Sequence, residues 1–300
     1  MAFDSVPRFR FRLSIFYLII LLIFEALAAL PIRTLWFDDS CSTYFTPMLW
    51  GEVQKMLTLG NLDTNPNPSS EAGKYFKLVW GDNREDTFEF VKEAINAVNL
   101  DAAKRKEYAN TYVYCDNDGR WWPPGRTPGV PYDVWYDREN HIKYKAVNRQ
   151  RLKPGCIDNV RDSAGLYVAG QTYCDVTALG KPDLCTISLC SVLLTAQALA
   201  VSQLDVSPLD SSPNFIDQYA VTLTETLIHE IAHTIKNAWT GSTWFDMGPN
   251  AYRWQAVKSK KDEEAMANAD NFAYWGLGCL LMSRGVAIKE DGGFRPLRRE

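Results

Sequence analysis

Apolar residues recur along this chain with two periods, and those periods predict its helices and strands. Thr46-Pro47 opens a predicted helix with Leu49, Val53, Met56 and Leu57 on one side. The polar stretch Asn61 to Gly73, with two prolines and paired serines, reads as a loop or linker. A second helix is expected over Asp86 to Asn99, where Phe88, Val91, Ile95 and Val98 form a core-facing stripe. Thr111 to Cys115 reads as a strand. Trp121 to Tyr136, dense in Trp, Pro, Gly and Tyr, predicts an ordered loop with embedded aromatics. Short strands are expected at Ile142–Val147, Leu166–Val168 and Leu184–Cys190, with a helix at Val192–Val201. Ile216, Ala220, Leu223, Leu227, Ile231 and Ile235 then fall at helical spacing, with Ser212 as N-cap and Pro213 as first helical residue. After a loop over Trp239–Asn250, a last helix is predicted from Asp262 to Met282, and the tail from Asp291 to Glu300 is expected to fray. The pattern gives one α+β domain, mostly helical around a small sheet.

The start of the chain changes the boundaries. Arg8, Arg10 and Arg12 precede an apolar run, Leu13–Phe24, and Ala26-Leu27-Ala28 follows Glu25. That order reads as a secretory signal peptide over residues 1–28 rather than an uncleaved anchor, which needs about 20 apolar residues. The remaining chain, 29–300, is read as a single domain. Residues 29–73 are read as an N-terminal helix and linker, taken as part of the fold because of Cys41 and that helix, with a short propeptide as the alternative; 74–282 are the core and 283–300 a tail. Net charge is −4 for the whole chain. Removing residues 1–28 takes three arginines and two acids, leaving a modest acidic excess that argues against nucleic acid or an anionic membrane surface as partner. Seven cysteines in an exported chain imply disulfides. Cys279, inside an apolar run, is the expected odd thiol. The other six, Cys41, Cys115, Cys156, Cys174, Cys185 and Cys190, permit several pairings that sequence alone does not resolve.

Candidate chemistry sits in one pentapeptide, His229-Glu230-Ile231-Ala232-His233. It matches H-E-x-x-H. On a helix, residues i and i+4 share a face, so both imidazoles address one point and can hold zinc (Zn2+), with the glutamate placed as a general base. A catalytic zinc needs a third protein ligand and an open position. The metzincin continuation is absent, since Lys236 and Trp239 stand where glycine and the third histidine would be. His141 lies far upstream among charged residues. Carboxylates remain: Asp246 in the following loop, or Glu263 and Glu264 on the last helix.

Gly241-Ser242-Thr243, Asp246 and Tyr252 follow the pentapeptide, and Asn268-Ala269-Asp270 lies in the last helix. With these motifs the chain resembles the aspzincin metalloendopeptidases, which include deuterolysins and fungal peptidyl-lysine metalloendopeptidases. That family carries H-E-x-x-H, then G-T-x-D-x-x-Y-G, then N-A-D. The resemblance runs loosely from Tyr75 to Leu281. Here the middle motif is longer, with four residues between Gly241 and Asp246 and five between Asp246 and Tyr252. The resemblance implies a zincin-like metalloprotease domain. His229, His233 and Asp246 would bind zinc, Glu230 would be the general base, Tyr252 would stabilise the oxyanion, and Asp270 would face a substrate lysine. The expected product is a secreted, monomeric zinc endopeptidase acting on peptides or proteins, possessing no membrane association after signal cleavage. The rivals are a glutamate-type zincin using Glu263 or Glu264, and a non-catalytic zinc-containing binding module.

Overall fold

The structure, a computed structural model, describes residues 32–42, 47–62, 67–81, 85–116, 119–126, 128–131, 134–145, 154, 156–157, 168–175, 184–194, 200–204, 215–235 and 252–297. It is a mixed helix-and-sheet protein, as the periodicity predicts. Strand β1, Leu35–Phe37, leads through helices α1 (Pro47–Leu62), α2 (Glu71–Trp80) and α3 (Glu85–Asn96) to β2, Thr111–Tyr114. Strands β3 (Trp121–Trp122), β4 (Val134–Asp137) and β5 (Lys143–Lys145) form a small antiparallel sheet. Strand β6, Gly170–Asp175, and β7, Leu184–Leu189, complete the main sheet. Helix α4 (Leu223–Thr234), then α5 (Arg253–Ser259), α6 (Asp262–Ala267) and α7 (Ala269–Ser283) follow. A hairpin of β8 (Val286–Ile288) and β9 (Phe294–Pro296) comes last.

The main sheet has the order β1-β2-β7-β6. The pairs β1–β2 and β2–β7 are parallel, and β6 runs antiparallel to β7. A parallel pair needs a long crossover, and α1 to α3 fill the one between β1 and β2. The core centres on α7, whose residues from Ala269 to Met282 are all buried. A helix apolar on all sides must lie inside the protein, and α7 packs against α4, α1, α2 and α5. Gly278 lets Tyr75 press onto it, since a Cβ there would sit 2.1 Å from the tyrosine ring. Tyr75 is stacked between Trp254 and Trp275, with centroids 5.8 and 5.7 Å away.

Three disulfides form: Cys41–Cys115, Cys156–Cys190 and Cys174–Cys185. Cys279 is buried and outside these disulfides, as its apolar setting predicts. No helix among the described residues is long and apolar enough to cross a membrane.

Several expected elements differ. The polar stretch after Asn61 gives way at Glu71 to α2, capped by the Ser70 hydroxyl, which accepts from the Gly73 amide. The aromatic segment Trp121–Tyr136 contributes β3 and β4 instead of being only loop, because its tryptophans and tyrosines pair across strands. Of the strand expected at Leu166–Val168, Leu166 and Tyr167 lie outside the described residues and Val168 is not in a strand; β6 starts later, at Gly170, where no strand was expected. The pentapeptide's helix begins at Leu223, well after Pro213; Thr222 caps it by accepting from the Glu225 amide. Ser212, Pro213, the Trp239–Asn250 loop and the leader over 1–28 also lie outside the described residues. The last helix is two helices, broken at Asn268, whose backbone is extended. The tail, expected to fray, carries β9, which pairs with β8 and buries Phe294, while residues 298–300 lie outside the described residues.

Candidate active site

Helix α4 presents His229, Glu230 and His233 toward three other elements: α7, the start of α5, and β6. Glu225, His229 and His233 recur every four residues and share a face of α4. His229, Glu230 and Glu225 are buried, and His233 is half-buried. The two Nε2 atoms of His229 and His233 face each other 3.1 Å apart. Two imidazole nitrogens at about 2.0–2.1 Å from one tetrahedral zinc ion would lie roughly 3.3 Å apart, so the pair fits a shared metal.

Behind His229, Asp270 on the first turn of α7 accepts a hydrogen bond from Nδ1 at 2.7 Å. An ionised carboxylate only accepts, so in the neutral imidazole this partner favours the proton on Nδ1, which leaves the lone pair on Nε2. Such a carboxylate partner fixes both tautomer and ring orientation in metal-binding histidines. The other oxygen of Asp270 accepts from the Arg253 amide at 3.1 Å. Arg253 adopts φ 75°, a left-handed conformation costly for a residue with a side chain. Asp217 holds the next amide, of Trp254, at 2.7 Å, and also accepts from the Tyr274 hydroxyl at 2.6 Å. Burial, with the nearby carboxylates Asp270, Glu225 and Asp217, pushes the Tyr274 phenol well above its ordinary range, so it stays a donor. These two carboxylates fix the entry to α5. Tyr252, just before it, lies with its ring 6.0 Å from that of His229.

On the opposite side, Glu230 lies against β6. The Thr172 hydroxyl stands 2.7 Å from Glu230 Oε2 and 3.0 Å from the Glu230 carbonyl. Gly170, two residues earlier, leaves room: a Cβ there would come within 2.9 Å of Glu230 Cγ and Oε1. Glu225, one turn before His229, is a buried acid of another kind. Burial, then the charge of Asp270, raises its carboxyl well above the usual range, which favours the neutral form.

The structure thus gathers His229, Glu230, His233, Tyr252 and Asp270. Asp270, expected at a substrate lysine, has one oxygen on His229 and the other on Arg253. Asp246 lies outside the described residues. Glu263 and Glu264 are exposed on the first turn of α6. Among the described residues, no set of three His, Cys, Asp or Glu side chains converges on a metal position. Sequence reasoning missed Thr172, Gly170, Asp217 and Arg253, whose relation to α4 arises only through tertiary contact. Glu225 was within reach of it, because its four-residue spacing from His229 is visible in the chain.

Compared with known protein families and with curated proteins, the chain matches none. The likeness to the aspzincins therefore rests on its motif residues.

Proposed function

We propose that this chain is a secreted zinc-dependent endopeptidase of the zincin type, with His229, His233 and Asp246 as its metal ligands. One observation carries the reading: two buried or half-buried imidazoles whose Nε2 atoms converge, one of them held from behind by a carboxylate at Nδ1. A helix that merely happened to contain two histidines would have no need of that support. Asp246 follows from the loop motif, and Glu263 and Glu264, exposed on α6, have no comparable support.

Zinc, when bound, supplies Lewis acidity toward a scissile carbonyl and lowers the pKa of water to about 7. Glu230 takes the proton from the attacking water and returns it to the leaving amine. Tyr252, beside His229, donates a hydrogen bond to the developing oxyanion. Strand β6 is an outer strand of the described sheet and runs past Glu230. An extended peptide can add to such an edge through main-chain hydrogen bonds, which favours a peptide over a compact small molecule. The leader pattern and the three disulfides support an oxidising, extracellular destination.

In this reading Asp270 positions His229, because both of its oxygens already have partners inside the protein. Cleavage before lysine stays open to the same test. Wild-type protein and E230Q are incubated with a mixed peptide library, and the cut sites are mapped by mass spectrometry. Loss of the general base is expected to lower the rate roughly 100- to 10,000-fold. Enrichment of cuts before lysine would return Asp270 to substrate recognition. Equal products from both proteins, with zinc bound in each, would replace the enzyme with a non-catalytic zinc domain.

A further inference from the structure

Strand β6 touches Glu230 twice, by two unrelated means. Gly170 and Thr172 are two residues apart and share a face of the strand. Thr172 offers a single hydroxyl proton with two acceptors in range, the Glu230 carboxylate at 2.7 Å and the Glu230 carbonyl at 3.0 Å. An ionised carboxylate is the stronger acceptor, so the proton goes to Oε2. Gly170 acts by what it lacks. A methyl group at this position would press on Glu230 Cγ and Oε1 at 2.9 Å, closer than side chains normally approach. Neither contact involves His229 or His233.

We infer that β6 is the positioning element for the general base, with Thr172 holding the Glu230 carboxylate and Gly170 reserving the space it occupies. This rests on the reading of Glu230 as general base. Neither residue touches the reacting atoms; both act through Glu230. The pairing suits the fold, because Cys174, two residues beyond Thr172, is disulfide-bonded to Cys185 on β7 directly across the register. The strand is thereby pinned next to the residue that does the holding.

The test uses full-length secreted T172V, T172S, G170A and E230Q with one fluorogenic peptide identified from the library. Valine matches threonine in shape and suits a strand, so T172V is expected to fold and bind zinc as wild type does. Misplacing a catalytic group by about 1 Å costs roughly 100-fold, and T172V is expected to lose 10- to 100-fold in kcat. KM should change little, and T172S should restore most of the rate. G170A should lose kcat by a similar factor while the Thr172 hydroxyl that holds Glu230 is intact. Zinc affinity by chelator competition and the melting temperature are measured for every variant. T172V with wild-type kcat, or T172S as slow as T172V, overturns the inference. Full activity in E230Q overturns the underlying reading instead, so the two failures are distinguishable.

Discussion

The side chain of Asp270 accepts two hydrogen bonds of different kinds, one from an imidazole and one from a main-chain amide. Asparagine at this position keeps one acceptor, and its NH2 group can accept from neither partner. D270N is therefore expected to weaken zinc binding roughly 10- to 100-fold, measured by competition with a chromophoric chelator. Unchanged affinity would show that His229 needs no support from α7. The histidines and Glu230 were legible in the sequence because their relation is local, fixed by helical spacing alone. Thr172 was not, because its partner is 58 residues away and β6 meets α4 only in the folded chain. Asp270 was legible as a site residue, through its place in N-A-D, but its partners were not. Which atoms a carboxylate faces depends on the packing of α7 against α4, and no pattern in the sequence states that.

Helix α4 begins where Thr222 caps it, with Glu225 three residues on. That is the T-x-x-E signature of a helix start, and it competes in the sequence with the Ser212-Pro213 signal. The structure explains which one wins. Residues Ile216–Gln218 form a separate turn, Ile216 donates its amide to Gly292, and Asp217 is committed to Trp254 and Tyr274. The helical spacing of Ile216 and Ala220 thus marks burial, not helix. T222A should cost about 0.5–2 kcal/mol of stability, read by urea unfolding. A loss below that range would mean that packing alone sets the start of α4. The split of the last helix follows similar logic. Asn268 donates to Asn271, and Asn271 donates to the carbonyls of Val79 and Val257. This buried amide pair exchanges helical continuity for ties to α2 and α5, and it sets the angle at which α7 brings Asp270 to His229. The strands over Thr111–Tyr114 and Leu184–Leu189 were legible because their apolar runs are short and bounded. The hairpin of β8 and β9 was not, since its strands of three residues are too short to show a period.

At the scale of the whole molecule, three disulfides close loops of very different length. The paired cysteines are separated by 74, 34 and 11 positions. If restriction of the unfolded chain dominates, the bonds contribute roughly 4.5, 3.8 and 2.8 kcal/mol in that order. Paired serine variants, compared by chemical denaturation, should lose stability in the same sequence, with Cys41–Cys115 the most costly to remove. The reverse order would show that native-state strain or residual structure outweighs loop closure. Cys41–Cys115 also fastens the turn after β1 to the end of β2, and so ties β1 to the sheet at a second point besides its strand pairing.

The seventh cysteine gives this architecture a history as well as a shape. Cys279 lies inside α7, buried and outside the three disulfides. A thiolate exposed during synthesis attacks disulfides and exchanges with them. A chain that oxidises before α7 is enclosed must choose its bonds from seven thiols, and every choice involving Cys279 strands a partner. A chain that encloses α7 first has only six left to pair. The burial of one sulfur therefore makes the sequence of events matter: collapse around the central helix ahead of oxidation spares the chain the exchange steps that a bond to Cys279 would require.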